Sequence, residues 1–133
     1  MIQELTDLER SAMEMILQGE SSVLEALRRQ WTHATIVRRE LTGCGFFTYL
    51  AVDRAGSEPT TPRRLAISSP HGEIDGLAHG VGFVLFVEEG DLSFLEGFSY
   101  DEPWWPTPHS EFQLTPLSSP RIHELGVRSA DES

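Results

Sequence analysis

Residues 76–98, GLAHGVGFVLFVEEGDLSFLEGF, constrain the fold more than any other part of the chain. Two apolar runs face each other across Glu88-Glu89-Gly90-Asp91, and Gly90 is the residue best able to take a positive φ. That pattern predicts a tight β-hairpin. Gly82, Phe83, Leu85 and Val87 make the first arm apolar on both faces, which places it inside a sheet rather than at its margin.

The flanking sequence supplies what such a sheet needs. Thr6-Asp7-Leu8-Glu9 has the form of a capping box, in which side chains satisfy the unpaired amides at a helix start. Leu8, Ala12, Met15 and Ile16 then recur at helical spacing, and Gly19 predicts a stop. Ser22-Val23-Leu24-Glu25 repeats the capping signal, and Leu24, Leu27 and Trp31 form the stripe of a second helix. From Ala34 the pattern turns to strand, at residues 34–40 and 46–52, with a turn at Thr42-Gly43-Cys44-Gly45. Residues 53–62 read as an exposed loop, and residues 63–68 and 72–77 as two short strands split at Pro70. Five of the eight prolines lie from Pro103 to Pro120, around Trp104-Trp105 and a last strand at residues 112–114. Proline removes amide donors and stiffens the chain, so residues 101–124 are expected to wrap the domain, with 125–133 a frayed tail.

The expectation is a single α+β domain spanning 1–133. A helical hairpin (1–32) packs on a mostly antiparallel twisted sheet of about five or six strands (33–100).

Charge limits the partners. The net charge is −11, and residues 65–120 hold nine acids, Glu73 to Glu111, with no arginine or lysine among them. Such a field repels phosphate backbones and anionic lipid, so nucleic acid and membrane are not expected partners. A basic protein partner, a cation or plain solubility is favoured instead. Cys44 is the single cysteine, which precludes an internal disulfide and fits a reducing cytoplasm. With no charge beside it to lower the thiol pKa, Cys44 reads as a small buried residue. No apolar run approaches membrane-spanning length.

Four groups of residues carry chemistry in this reading. His71, Glu73 and Asp75 alternate onto one face of a strand, and His79 returns after Gly76, giving the best set for a divalent transition metal such as zinc, manganese or non-haem iron. A hydrated polar strand beside a glycine turn explains the same residues, and the spacing matches no established metal motif. His79 alone reads as a general base or as a ring that holds a loop carbonyl. Glu96, Asp101 and Glu102 are either paired carboxylates for acid–base work or a solvated acidic edge that meets a partner. Trp104 and Trp105 sit between prolines in an extended segment, where successive side chains point opposite ways. Trp104 is expected to cap the core and Trp105 to offer a contact. There is no Gly-x-Ser-x-Gly elbow, no phosphate-binding glycine loop with its lysine, and no Gly-x-Gly-x-x-Gly fingerprint.

Thr42-Gly-x-Gly-Phe-Phe-Thr48, Gly76-Leu-x-His-Gly-x-Gly-Phe83, Phe94-Leu-Glu-Gly-Phe-x-Tyr100 and Glu102-Pro-Trp104 resemble a group of small bacterial proteins of unassigned function. The resemblance runs over roughly residues 5–106 and is anchored by glycines and aromatics, so it implies a shared fold and no catalytic residue. That group usually carries a single tryptophan before the last proline, and Trp105 is additional.

With no catalytic signature, the sequence points first to a non-enzymatic acidic binding protein. It would be immunity- or antitoxin-like, without a cofactor, recognising a basic protein through Trp105, Asp101, Glu102 and Glu96. The alternatives are a small metal-dependent enzyme built on His71, Glu73, Asp75 and His79, and a structural homo-oligomerisation module using Trp105 and a sheet edge.

Overall fold

The computed structural model describes residues 6–53, 58–106, 111–116 and 121–125. Thr6 opens α1 (Asp7–Ile16) through a complete capping box. Its hydroxyl accepts from the Glu9 amide at 3.2 Å, while the Glu9 carboxylate accepts from the Thr6 amide at 2.8 Å. The second helix, α2 (Ser22–Trp31), starts one residue earlier than its capping signal predicts. Ser21, not Ser22, is the cap, and its hydroxyl accepts from the Leu24 amide at 3.0 Å. Glu25 therefore falls one position beyond the reciprocal site of a capping box.

Seven strands follow: β1 (Ala34–Leu41), β2 (Gly45–Val52), β3 (Leu65–Ile74), β4 (Val81–Glu88), β5 (Asp91–Ser99), β6 (Phe112–Thr115) and β7 (Arg121–Glu124). They form one sheet in the order β1-β2-β5-β4-β3-β6, with β7 also on β3, and every strand pairing is antiparallel. The α+β class holds, and the sheet has one strand more than the upper expectation. The extra strand is β7, whose Arg-Ile-His-Glu sequence carries little β signal and is recruited by the half of β3 that β6 leaves uncovered.

The predicted break at Pro70 does not occur, because β3 runs continuously from Leu65 to Ile74. Between Ser68 and His71 the chain advances one residue more than β4 does, from Val84 to Gly82. The proline sits in that bulge, where its missing amide costs no ladder bond. Two further bulges matter for the site. Val37 is the extra residue of β1, and Ser93 is the extra residue of β5 between Phe94 and Leu92. The β4–β5 corner is a two-residue turn with Glu89 at φ 54° and Gly90 at φ 83°, the mirror-image geometry that matches strand twist.

The helices cover one face of the sheet. Ala12, Met13, Ile16 and Leu17 join Leu24 and Leu27 against Phe46 and Leu50 of β2, Leu65 and Ile67 of β3, Phe83, Leu85 and Val87 of β4, and Leu95 of β5. The first helix packs mainly on β3 and the second on β5. Arg28 of α2 donates to the carbonyls of Leu17 and Gly19, satisfying the end of α1 where the chain turns back.

Two buried polar groups tie this layer down. Glu9, 2% exposed, accepts from Nε of Arg39 at 2.7 Å, from its Nη2 at 2.6 Å and from the Thr48 hydroxyl. Burial pushes the Glu9 pKa up, but the bonds from Arg39, Thr48 and Thr6 outweigh it and hold the carboxyl below the usual 4.5. Gln30, fully buried, donates to the carbonyls of Glu58 at 2.9 Å and Gly90 at 2.8 Å and accepts from the Leu92 amide at 2.9 Å. Residues 58–60 are thus fastened to the β4–β5 corner, and Thr60 is buried where an exposed loop is expected. Of the predicted tail at 125–133, Leu125 donates its amide to the Arg64 carbonyl at 2.9 Å, and residues 126–133 lie outside the described residues. Among the described residues no helix is long and apolar enough to cross a membrane.

Candidate docking face

Cross-strand partners share a face, so the registers define the second side of the sheet. It carries Arg38 and Glu40 from β1, Phe47 and Tyr49 from β2, Phe94, Glu96 and Phe98 from β5, and Gly82, Val84 and Phe86 from β4. Ala66, Ser68, His71 and Glu73 of β3 continue it. Among the described residues no helix or strand lies over this side, and its aromatics are only partly buried.

The rings form a connected pavement. Phe86 stacks on Phe94 with centroids 4.5 Å apart, and Phe94 meets Phe47 at 5.8 Å and Tyr49 at 5.6 Å. Arg38 lays its guanidinium 4.0 Å above the Tyr49 ring, and the Tyr49 hydroxyl reaches Glu40 at 3.4 Å. Toward the other end Phe98 meets Tyr100 edge-on at 5.5 Å. Both lie over Gly82, where a Cβ would stand 2.6 Å from the Phe98 ring and 2.7 Å from the Tyr100 hydroxyl. One glycine of the hairpin is thus explained by close approach rather than by turn geometry.

Glu96 lies in the middle of this surface. Phe47 and Val84 flank it across the sheet, and Phe94 and Phe98 flank it along its own strand. Burial pushes its pKa up, and among the described residues no hydrogen bond or ion pair compensates. A half-buried carboxylate without a partner among the described residues is costly.

The other predicted contact residues lie at one end of the sheet. Glu102 is engaged within the fold: its carboxylate accepts from the amides of Ala78 at 3.1 Å and His79 at 2.7 Å, clasping the turn before β4. Those two bonds hold its pKa below the ordinary value. Asp101 is exposed, in a left-handed conformation at φ 61°. Trp104 is 4% exposed, donates its amide to the Gly43 carbonyl at 2.8 Å and meets Phe46 edge-on at 5.7 Å. Trp105 is 61% exposed, with its ring against Gly43. Trp105, Asp101 and Glu102 are therefore neighbours in one loop, whereas Glu96 belongs to the sheet surface. The three carboxylates do not form one acid–base pair plus a spare, because Glu102 is turned toward backbone amides.

The predicted metal set is brought together only in part. His71 Nε2 and the Glu73 carboxylate are 3.0 Å apart on β3. Asp75 sits in the following turn, its amide bonded to the Glu111 carbonyl at 2.9 Å, and His79 is exposed in the clasped turn. Among the described residues no group of three or more His, Cys, Asp or Glu side chains is placed to hold a metal ion. Cys44 is exposed, not buried. It occupies the β1–β2 turn, where its carbonyl accepts from the Ser99 amide at 2.9 Å and its side chain has no core to enter.

The acid-rich stretch is likewise not one patch. Glu88, Glu89 and Asp91 cluster at the β4–β5 corner, while Asp75, Asp101, Glu102 and Glu111 lie at the opposite end of the strands. Glu96 lies between the two groups, since the hairpin folds a contiguous run into two ends and a middle. Sequence reasoning missed the Glu9–Arg39 pair and Gln30. For Gln30 a signal existed: it continues the Leu24, Leu27 stripe at i+3, where a polar residue must find buried partners. No family model, curated protein or solved structure matches the chain.

Proposed function

We propose that this chain is a non-enzymatic acidic binding protein that recognises a basic protein partner, in the manner of an immunity protein or an antitoxin. The observation that carries this reading is the one-sided coverage of the sheet. Helices bury one face, and the other presents a partly exposed aromatic surface with a carboxylate at its centre that has no partner among the described residues. Aromatic side chains bury large area at low entropic cost, which suits a contact surface. The net charge of −11 favours approach of a cationic protein and disfavours phosphate backbones. Trp105 adds an exposed apolar anchor at one end.

The test is affinity capture by the immobilised protein from its host lysate at low salt, with identification of what is retained. Titration calorimetry of the recovered protein at two ionic strengths follows. A basic protein whose affinity falls as salt rises supports the reading. Retention of no basic protein, or an affinity indifferent to salt, overturns it.

A further inference from the structure

The geometry points to Glu96 and the rings around it as a receptor for a single arginine side chain of that basic partner, a site that rests on the preceding reading. The face matches its other described charges internally. Arg38 lies on Tyr49, Glu40 accepts from the Tyr49 hydroxyl, and Glu73 pairs with His71. Glu96 has no hydrogen-bond or ion-pair partner among the described residues. Half-burying a carboxylate among apolar neighbours costs stability that nothing among the described residues recovers. A cation from a partner supplies the compensation that the described residues do not.

The surroundings specify the cation. Phe47 and Val84 are the cross-strand neighbours of Glu96, and Phe94 and Phe98 are the next residues on the same face along its own strand. A guanidinium is planar and weakly hydrated, stacks on aromatic faces and donates two parallel N–H bonds to one carboxylate. An ammonium is a strongly hydrated point charge that gains less from such a setting. The molecule already uses both halves of this chemistry. Arg38 stacks on Tyr49 at 4.0 Å, and Arg39 grips Glu9 through Nε and Nη2 at 2.7 and 2.6 Å. At Glu96 the rings and the carboxylate are combined, and the complementary charge comes from a partner.

The probe is N-acetyl-arginine methylamide titrated into isotopically labelled protein and followed by amide chemical shifts, with the lysine analogue as comparison. Saturable shifts centred on residues 47, 84 and 94–98, stronger for arginine than lysine and weakened about tenfold or more in Glu96→Gln, are expected. Glu96→Gln removes no hydrogen bond or ion pair among the described residues, and the dispersion of its spectrum checks that it folds. Shifts that are absent from these residues, or undiminished in Glu96→Gln, overturn the site. The partner recovered by affinity capture separates the two claims. If it binds wild type and Glu96→Gln alike while Trp105→Ala weakens it, the arginine receptor falls and the binding reading stands. If the arginine shifts appear but no basic protein is ever retained, the receptor stands and the binding reading falls.

Discussion

Replacing Glu9 by alanine removes a side chain that joins α1 to both β1 and β2. The carboxylate is 2% exposed and receives Arg39 twice, Thr48 and Thr6. Without it the Arg39 side chain, 19% exposed, loses the Glu9 carboxylate that it grips twice, and the Thr48 hydroxyl, on a residue 1% exposed, loses the acceptor it has there. Breaking a buried pair from one side costs about 3–5 kcal/mol. Against a total stability of about 5–15 kcal/mol, that shifts a urea midpoint visibly. Changing both partners together, Glu9→Leu with Arg39→Met, removes the charges as a pair. It is expected to be less destabilising than the sum of the single changes by about 1–3 kcal/mol. Urea unfolding followed by circular dichroism measures all four corners of the cycle. The pH dependence is an independent check. The folded pKa of Glu9 is depressed below 4.5, so its contribution is complete above that value and is lost as pH falls through the depressed one. The advantage of wild type over Glu9→Gln must therefore shrink on acidification. A Glu9→Ala loss below about 1 kcal/mol, with additive single changes, refutes the idea that this pair organises the layer.

Three other outcomes follow from the geometry. Gln30→Leu fills the same space but strands the buried Leu92 amide, while the Gly90 carbonyl keeps its bond from Thr60. Urea unfolding should register a loss of about 1–3 kcal/mol. Trp104→Ala opens a hole beside Phe46 and should cost about 3–5 kcal/mol, whereas Trp105→Ala should stay within about 0.5 kcal/mol in the same assay. Glu96→Gln should raise the thermal midpoint at neutral pH. A carboxyl whose folded pKa is raised destabilises the fold once ionised, so the gain should vanish as pH drops below the ordinary 4.5.

The hairpin, both helices and the first two strands were legible because their signals are local: caps, 3.6-residue stripes and a turn between apolar runs. What escaped depends on partners distant in sequence. Glu9 already had an explanation as a capping residue, and its second role needs Arg39 and Thr48, which lie 30 and 39 positions away. β7 exists because β3 has a vacant stretch, a fact about pairing and not about residues 121–124. The face of Glu96 turns on a single inserted residue. Simple alternation from the buried Leu92 would send Phe94, Glu96 and Phe98 inward and Leu95 outward. The extra Ser93 reverses that order, burying Leu95 under the helices and turning Glu96 outward. Trp104 and Trp105 were separable by parity alone, because an extended segment alternates whatever its surroundings.

The bulge at Val37 and the division of β3 between two four-residue strands have one common effect. A sheet is prone to polymerise through its outermost strands, where a row of unpaired amides and carbonyls invites a foreign strand to extend the ladder. Here one border is kinked and bears Arg38, Arg39 and Glu40, and the opposite border is broken into segments too short to template much growth. Recruitment of another polypeptide by strand addition is thereby discouraged at both rims.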